Sequence, residues 1–259
     1  MFKMPRQPQT VGQTLDNGFK LFFEGFGRCF LPSLFASLVL VLPYVIAGPL
    51  FTAGQPSTGN WATLVSVMIP VWLAYLWLHA AILFRLGRVA QSADSTLTEA
   101  LTHGFKCLLP ILASVILYMI AVMVGTVFLI IPGIFLSLSL YLFMPAIVLD
   151  GCGPVQALKR SHNLVWGNWW RTLTVLTVPL FVVLIMYMGI GFVSGLLLAF
   201  GNDVVPSELQ IMIQLFQAPM NAILMPLLYA IAIVQYHDLK FRREGGDLEA
   251  RLTTPAMAY

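Results

Sequence analysis

Residues Cys107–Leu149, CLLPILASVILYMIAVMVGTVFLIIPGIFLSLSLYLFMPAIVL, run for 43 residues without one Asp, Glu, Lys or Arg. At about 1.5 Å of rise per residue, a single helix of that length would measure roughly 65 Å, about twice the hydrocarbon core of a bilayer. The stretch therefore reads as two spans, Cys107–Ile130 and Ile131–Leu149, turning around Pro132 and Gly133. Four further apolar stretches of spanning length flank the pair: Cys29–Phe51, Trp61–Phe84, Thr172–Phe200 and Ile211–Tyr236. Composition agrees, since 59% of the 259 residues are hydrophobic, 10% are charged and the mean hydropathy is +0.85. That balance excludes a soluble globular protein and predicts an all-α integral membrane protein with six transmembrane helices.

Orientation follows from where the cations fall, because Lys and Arg near span ends resist translocation. Lys3, Arg6, Lys20 and Arg28 precede the first span, and Arg85, Arg88 and Lys106 lie between the second and third. Lys159, Arg160 and Arg171 lie between the fourth and fifth, and Lys240, Arg242, Arg243 and Arg251 follow the sixth. All fourteen basic residues thus fall on one side of the topology. The other three links, Thr52–Asn60, the Pro132–Gly133 turn and Gly201–Gln210, hold no cation, only Asp203 and Glu208. The expectation is both termini inside, in the bacterial cytoplasmic membrane. The first 28 residues are polar and amphipathic, unlike a cleavable signal, so the first span reads as an uncleaved anchor. Cys29, Cys107 and Cys152 all fall near the inner face and in no metal-ligand spacing, so neither a disulfide framework nor a zinc site is expected.

An internal repeat organises the chain. Arg28-Cys29-Phe30-Leu31-Pro32 matches Lys106-Cys107-Leu108-Leu109-Pro110, and a weaker copy leads into the fifth span at Trp170-Arg171. Upstream of each lies an amphipathic stretch: Val11, Leu15, Phe19, Phe22 and Phe26; then Leu97, Leu101 and Phe105; then Val155, Leu158, Val165 and Trp169. Their three-to-four spacing puts each set on one helical face. The sequence thus predicts three hairpins (units of about 11–86, 95–149 and 153–238), each preceded by an amphipathic helix lying at the cytoplasmic headgroup plane. Residues 1–240 form a single membrane domain, and 241–259 a short cytoplasmic tail.

Proton relays and ion-coupled carriers need ionisable groups at depth, and no Asp, Glu, Lys or Arg lies well within a predicted span. His79 is the one titratable candidate, in the last third of the second span. Gln214, Gln217 and Asn221 form a candidate intramembrane polar cluster on the sixth, with Pro219 and Pro226 nearby. They would line a polar cleft or serve as interhelical hydrogen-bonding groups. No phosphate loop, H-E-x-x-H, G-x-S-x-G or paired carboxylate set in an apolar pocket occurs, so no catalytic residue, metal or cofactor is expected. A nucleic-acid partner is excluded, for want of a basic and aromatic surface away from the membrane-proximal segments.

Two segments carry more than hydrophobic filler. The first runs from the I-P-G-I turn at Ile131 through Pro145 and Asp150 to Ala157-Leu158-Lys159-Arg160-Ser161 and on to Arg171; the second is Tyr236-His237-Asp238-Leu239-Lys240-Phe241-Arg242-Arg243-Glu244. Together they resemble the YciC-like bacterial inner-membrane family and the glycerophosphoryl diester phosphodiesterase membrane-domain family. The resemblance is good from about the third span to the C-terminus and looser before it. It implies a membrane architecture; the catalytic barrel of those phosphodiesterases is not read in this sequence.

For Asp150, Lys159, Arg160, Ser161 and Arg171 two roles stand side by side, a clamp between helices and a site for headgroup phosphate. Asp238, Arg243 and Glu244 read as a capped helix end or a docking tail. The favoured function is a non-enzymatic membrane component engaging lipid headgroups or cell-envelope proteins through its cytoplasmic belt. Membrane lipids are the expected partners, a second membrane protein is a further candidate, and homo-oligomerisation is compatible. A transporter or channel subunit for an apolar or amphipathic solute is the alternative, followed by a lipid-modifying enzyme.

Overall fold

The computed structural model describes residues 3–5, 7–43, 45–46, 61–200 and 206–253; at 61, 63–64, 197–198, 200, 206–210, 244 and 246–253 it describes the backbone only. The expected outer links Thr52–Asn60 and Gly201–Gln210, the end of the first span beyond Ile46, Arg6, and the last six residues of the tail lie outside the described residues or side chains. The chain is all helical, with no strand among the described residues. The helices whose backbone is described from end to end are, in order, α1 (Val11–Val39), α2 (Trp61–Ala90), α3 (Leu97–Phe128), α4 (Ile130–Leu140), α5 (Phe143–Asp150), α6 (Pro154–Val165), α7 (Trp169–Phe200) and α8 (Pro206–Thr253). Six helical stretches are long and apolar enough to cross a membrane, with α4 and α5 together supplying one of them. This is a multi-pass membrane protein.

Local chemistry explains where the helices begin. Thr10 accepts from the Gln13 N–H at 3.3 Å while the Gln13 side chain accepts from the Thr10 N–H at 2.9 Å. The same reciprocal cap joins Thr96 and Glu99 at 3.2 and 3.0 Å, so the two copies of the repeat start with one device. From these caps α1 and α3 run without a break. The stretches Val11–Phe26 and Leu97–Phe105 are therefore the first turns of the long helices rather than separate amphipathic helices, because nothing in either sequence stops the helix before the apolar run. The third copy does form a helix of its own. At its end Trp166 is extended and Gly167 takes φ +87°, a conformation that favours glycine, before α7 starts at Trp169. Gly151, at φ +66°, ends α5 in the same way: its N–H donates to the Ile147 carbonyl at 3.0 Å and the Cys152 N–H to Ala146 at 3.2 Å.

The fourth predicted span is interrupted at Tyr141 and Leu142, between α4 and α5. Pro145 has no N–H to offer the Tyr141 carbonyl, which weakens the ladder there. Ser161, fully buried on α6, repairs the break: its hydroxyl donates to the Ser139 carbonyl at 2.9 Å and accepts from the Leu142 N–H at 3.0 Å. The sixth span also runs further than expected, since α8 continues past Tyr236 to Thr253.

α1 packs most extensively against α8, so the first and last helices close the bundle; α2 lies against α1 and α3, and α3 against α4. Leu21, Leu83, Leu86, Ile147, Ile231 and Leu239 fill the shared core. The outward faces are apolar. Phe128, 79% exposed, sits in a run of bare aliphatic side chains from Val127 to Ile131, a surface that hydrocarbon tolerates and water does not.

Candidate functional site

The charged residues gather at one end of the bundle, around two carboxylates. Asp150, the last residue of α5, receives three side chains. The Arg160 guanidinium lies 2.8 Å away, the Lys240 ammonium 3.1 Å, and the Tyr236 hydroxyl donates at 2.7 Å. Tyr236 and Lys240 share one face of α8 at four-residue spacing, so they meet the same acceptor. Burial alone would lower the Arg160 pKa, but the Tyr236 and Asp150 oxygens outweigh it, and the net shift is upward. The cluster thereby ties α5, α6 and α8 together.

Asp238 makes the deeper cluster. Its side chain is 0% exposed, and it accepts from the Gln9 backbone N–H at 2.7 Å, from the Arg171 guanidinium at 2.9 and 3.2 Å, and from Arg242 at 3.0 Å. Arg171 also donates to the Thr14 hydroxyl at 2.9 Å, and Arg242 to the Gln9 carbonyl at 2.5 Å. A buried carboxylate is costly unless opposite charges and hydrogen bonds compensate it, and here two guanidiniums and a backbone N–H do so. The expected C-terminal motif divides accordingly. Asp238 joins the start of α1 to α7 and α8, Arg243 donates to the Asn163 carbonyl, and the Glu244 side chain lies outside the described residues.

The five residues grouped around the Ala157–Ser161 element thus do different things. Asp150 and Arg160 pair directly, Ser161 seals the α4–α5 break, Arg171 faces Asp238, and Lys159 remains exposed. Tyr236 and Lys240 as partners of Asp150, and Gln9 and Thr14 beside Asp238 and Arg171, were not singled out by sequence reasoning. The four-residue spacings Tyr236–Lys240 and Asp238–Arg242 carried a usable signal for two contacts on α8; nothing local pointed to Gln9.

The bundle interior holds neutral polar groups. His79 Nδ1 and the Tyr229 hydroxyl share a hydrogen bond of 2.9 Å between α2 and α8, with the Tyr75 ring centred 4.0 Å from the imidazole. Tyr141 donates to Gln235, and Ser139 shares a 2.7 Å bond with His162. On the sixth span Asn221 accepts from Tyr187 at 2.9 Å, while Gln214 and Gln217 are half-buried. These bonds link helices, as expected of polar side chains facing one another in a membrane bundle. No group of His, Cys, Asp and Glu suited to a metal ion occurs among the described residues.

The family described as Domain of unknown function (DUF7847) matches residues 21–239. The chain belongs to this family. The DUF7847 match takes in Asp150, Arg160, Ser161, Arg171 and Asp238, so both carboxylates and the seal of the α4–α5 break are parts of the family domain, whereas Gln9, Arg242 and Arg243 lie outside the matched segment. No curated protein and no solved structure matches the chain.

Proposed function

We propose that this DUF7847 protein is a non-enzymatic multi-pass protein of the bacterial cytoplasmic membrane, with both termini inside, that engages anionic lipid headgroups at its charged end. The observation that carries the reading is a surplus of cations there. Arg28, Arg160, Arg171, Lys240 and Arg242 are matched to carboxylates, yet Lys3, Lys106 and Lys159 are exposed with no carboxylate partner among the described residues. Unpaired basic residues at a membrane face attract anionic lipid by about 1 kcal/mol each. The paired arginines act as clamps in this reading, which moves headgroup contact away from Arg160 and Arg171. The sequence likeness to the YciC-like and phosphodiesterase membrane domains belongs to the same reading, for architecture alone.

Native mass spectrometry of delipidated protein, offered phosphatidylglycerol or phosphatidylcholine in equal amounts, tests the function. Preferential retention of phosphatidylglycerol, weakening with salt, is the expected result; equal retention would remove the headgroup reading. Orientation has its own test. Cys29 and Cys107 are buried and Cys152 is partly exposed at the charged end. A membrane-impermeant maleimide should label Cys152 in inverted vesicles and none of the three cysteines in intact cells. Labelling of Cys152 from outside would reverse the topology.

A further inference from the structure

A groove of about 580 Å3 opens between the last turns of α2 and the first turns of α3. Arg88 lines it from α2 and Lys106 from α3, with the hydroxyls of Thr96, Thr98 and Thr102 along the same helix. Neither cation has a carboxylate within ion-pair distance among the described residues. Asp94, whose carbonyl accepts from Arg88 at 3.4 Å, turns its carboxylate to Arg28 at 2.7 Å. The Nε of Arg88 is buried with no hydrogen-bond partner. Glu99 is the one acid among the lining residues, and it is engaged in the helix cap, accepting from the Thr96 N–H at 3.0 Å. Thr96 in turn accepts from the Glu99 N–H, which leaves its own O–H to donate. The Thr102 hydroxyl already donates to the Thr98 carbonyl at 2.8 Å, so the groove presents a guanidinium, an ammonium and the Thr96 hydroxyl donor against a single carboxylate engaged in the cap.

We propose that this groove is a phosphate-binding site, with Arg88 and Lys106 as its charged ligands. A guanidinium offers a fork of N–H donors and an ammonium a compact charge, and together they suit a phosphate held near a membrane face. Phe105 and Leu109, 66% and 74% exposed, continue along α3 beside Lys106, where the acyl chains of a bound phospholipid would lie. In that form the proposal rests on the headgroup reading and gives it a location; free phosphate offers the same chemistry without the chains.

Delipidated protein titrated separately with phosphatidylglycerol, phosphatidylcholine and inorganic phosphate distinguishes the sources. Phosphatidylglycerol affinity should fall about thirtyfold in Arg88→Gln/Lys106→Gln, from about 1 kcal/mol per basic residue, and stay unchanged in Asp16→Asn/Lys20→Gln, which removes an exposed ion pair of 2.6 Å outside the groove and leaves the net charge as it was. Glu99→Gln should tighten binding about fivefold by the same charge arithmetic. Its amide oxygen still accepts the Thr96 N–H, so the cap survives and the gain cannot come from misfolding. Inorganic phosphate binding with the same dependence on the three variants, alongside indifference to lipid, would keep the site and overturn its lipid occupant. Preference for phosphatidylglycerol that none of these groove variants alters would overturn the site and leave the headgroup reading standing. If neither phosphatidylglycerol nor inorganic phosphate binds in preference to phosphatidylcholine, both readings fall.

Discussion

Asp238→Ala is expected to lower the stability of the folded protein by about 3–5 kcal/mol, the range for removing one partner of a buried ion pair. The substitution deletes more than one contact. It leaves the Gln9 N–H without its acceptor, and it leaves Arg171, whose side chain is 16% exposed, with a charge that solvent reaches poorly. Arg242 is half-buried and can turn outward, so Arg171 dominates the cost. Asp150→Ala provides the comparison. Its carboxylate is partly exposed and both its cations are about one-third exposed, so solvent screens the pair and the loss should stay near or below about 1 kcal/mol. Unfolding in mixed micelles of increasing denaturing-detergent fraction would measure both. Equal, small shifts would mean that Asp238 does not hold the start of α1 to α7 and α8. Adding Arg171→Leu to the Asp238 variant should recover part of the loss, because it removes the stranded charge.

Asp238 also marks what the sequence could reveal. The six spans were legible because an apolar run of about 20 residues has few other readings, and the pairing of Asp150 with Arg160 was within reach because the two stand ten residues apart across a glycine turn. Helix ends were harder. The first and third spans were expected to start at Cys29 and Cys107, where the charge stops, but the helices start at the Thr10 and Thr96 caps because no residue in between breaks them. Pro145 signalled a weak point in the fourth span; the position of the break depends on Ser161, which arrives from another helix. Asp238 was placed just past the sixth span, in a motif read as a capped helix end or a docking tail. Its burial depends on Arg171, 67 positions away, and on Gln9, 229 positions away, and local periodicity carries no information about such distant partners.

Gly104→Val should destabilise the protein by about 3 kcal/mol. A Cβ at Gly104 would stand 2.9 Å from the Trp77 carbonyl oxygen, 3.0 Å from the Ala81 nitrogen and 3.3 Å from the Ala81 Cβ. Two of those atoms are backbone, so the clash is relieved only by moving α3 away from α2. Other glycines calibrate the expectation. A Cβ at Gly25 would meet the tip of the Leu86 side chain, which can change rotamer, and one at Gly27 would meet nothing within 4 Å. Gly27→Ala should therefore be neutral or stabilise by about 0.5–1 kcal/mol through helix propensity. The α2–α3 contact also sets the spacing of the two helices that carry Arg88 and Lys106, and the Trp77 indole N–H donates from α2 to the Leu101 carbonyl on α3 at 2.8 Å. Spreading the two helices should break that bond and separate the two cations, so Gly104→Val ought to weaken phosphatidylglycerol retention even in the fraction that remains folded. A variant as stable as Gly27→Ala, with retention intact, would show that α2 and α3 can part without consequence, and that the groove's two charges do not depend on the close packing at Gly104.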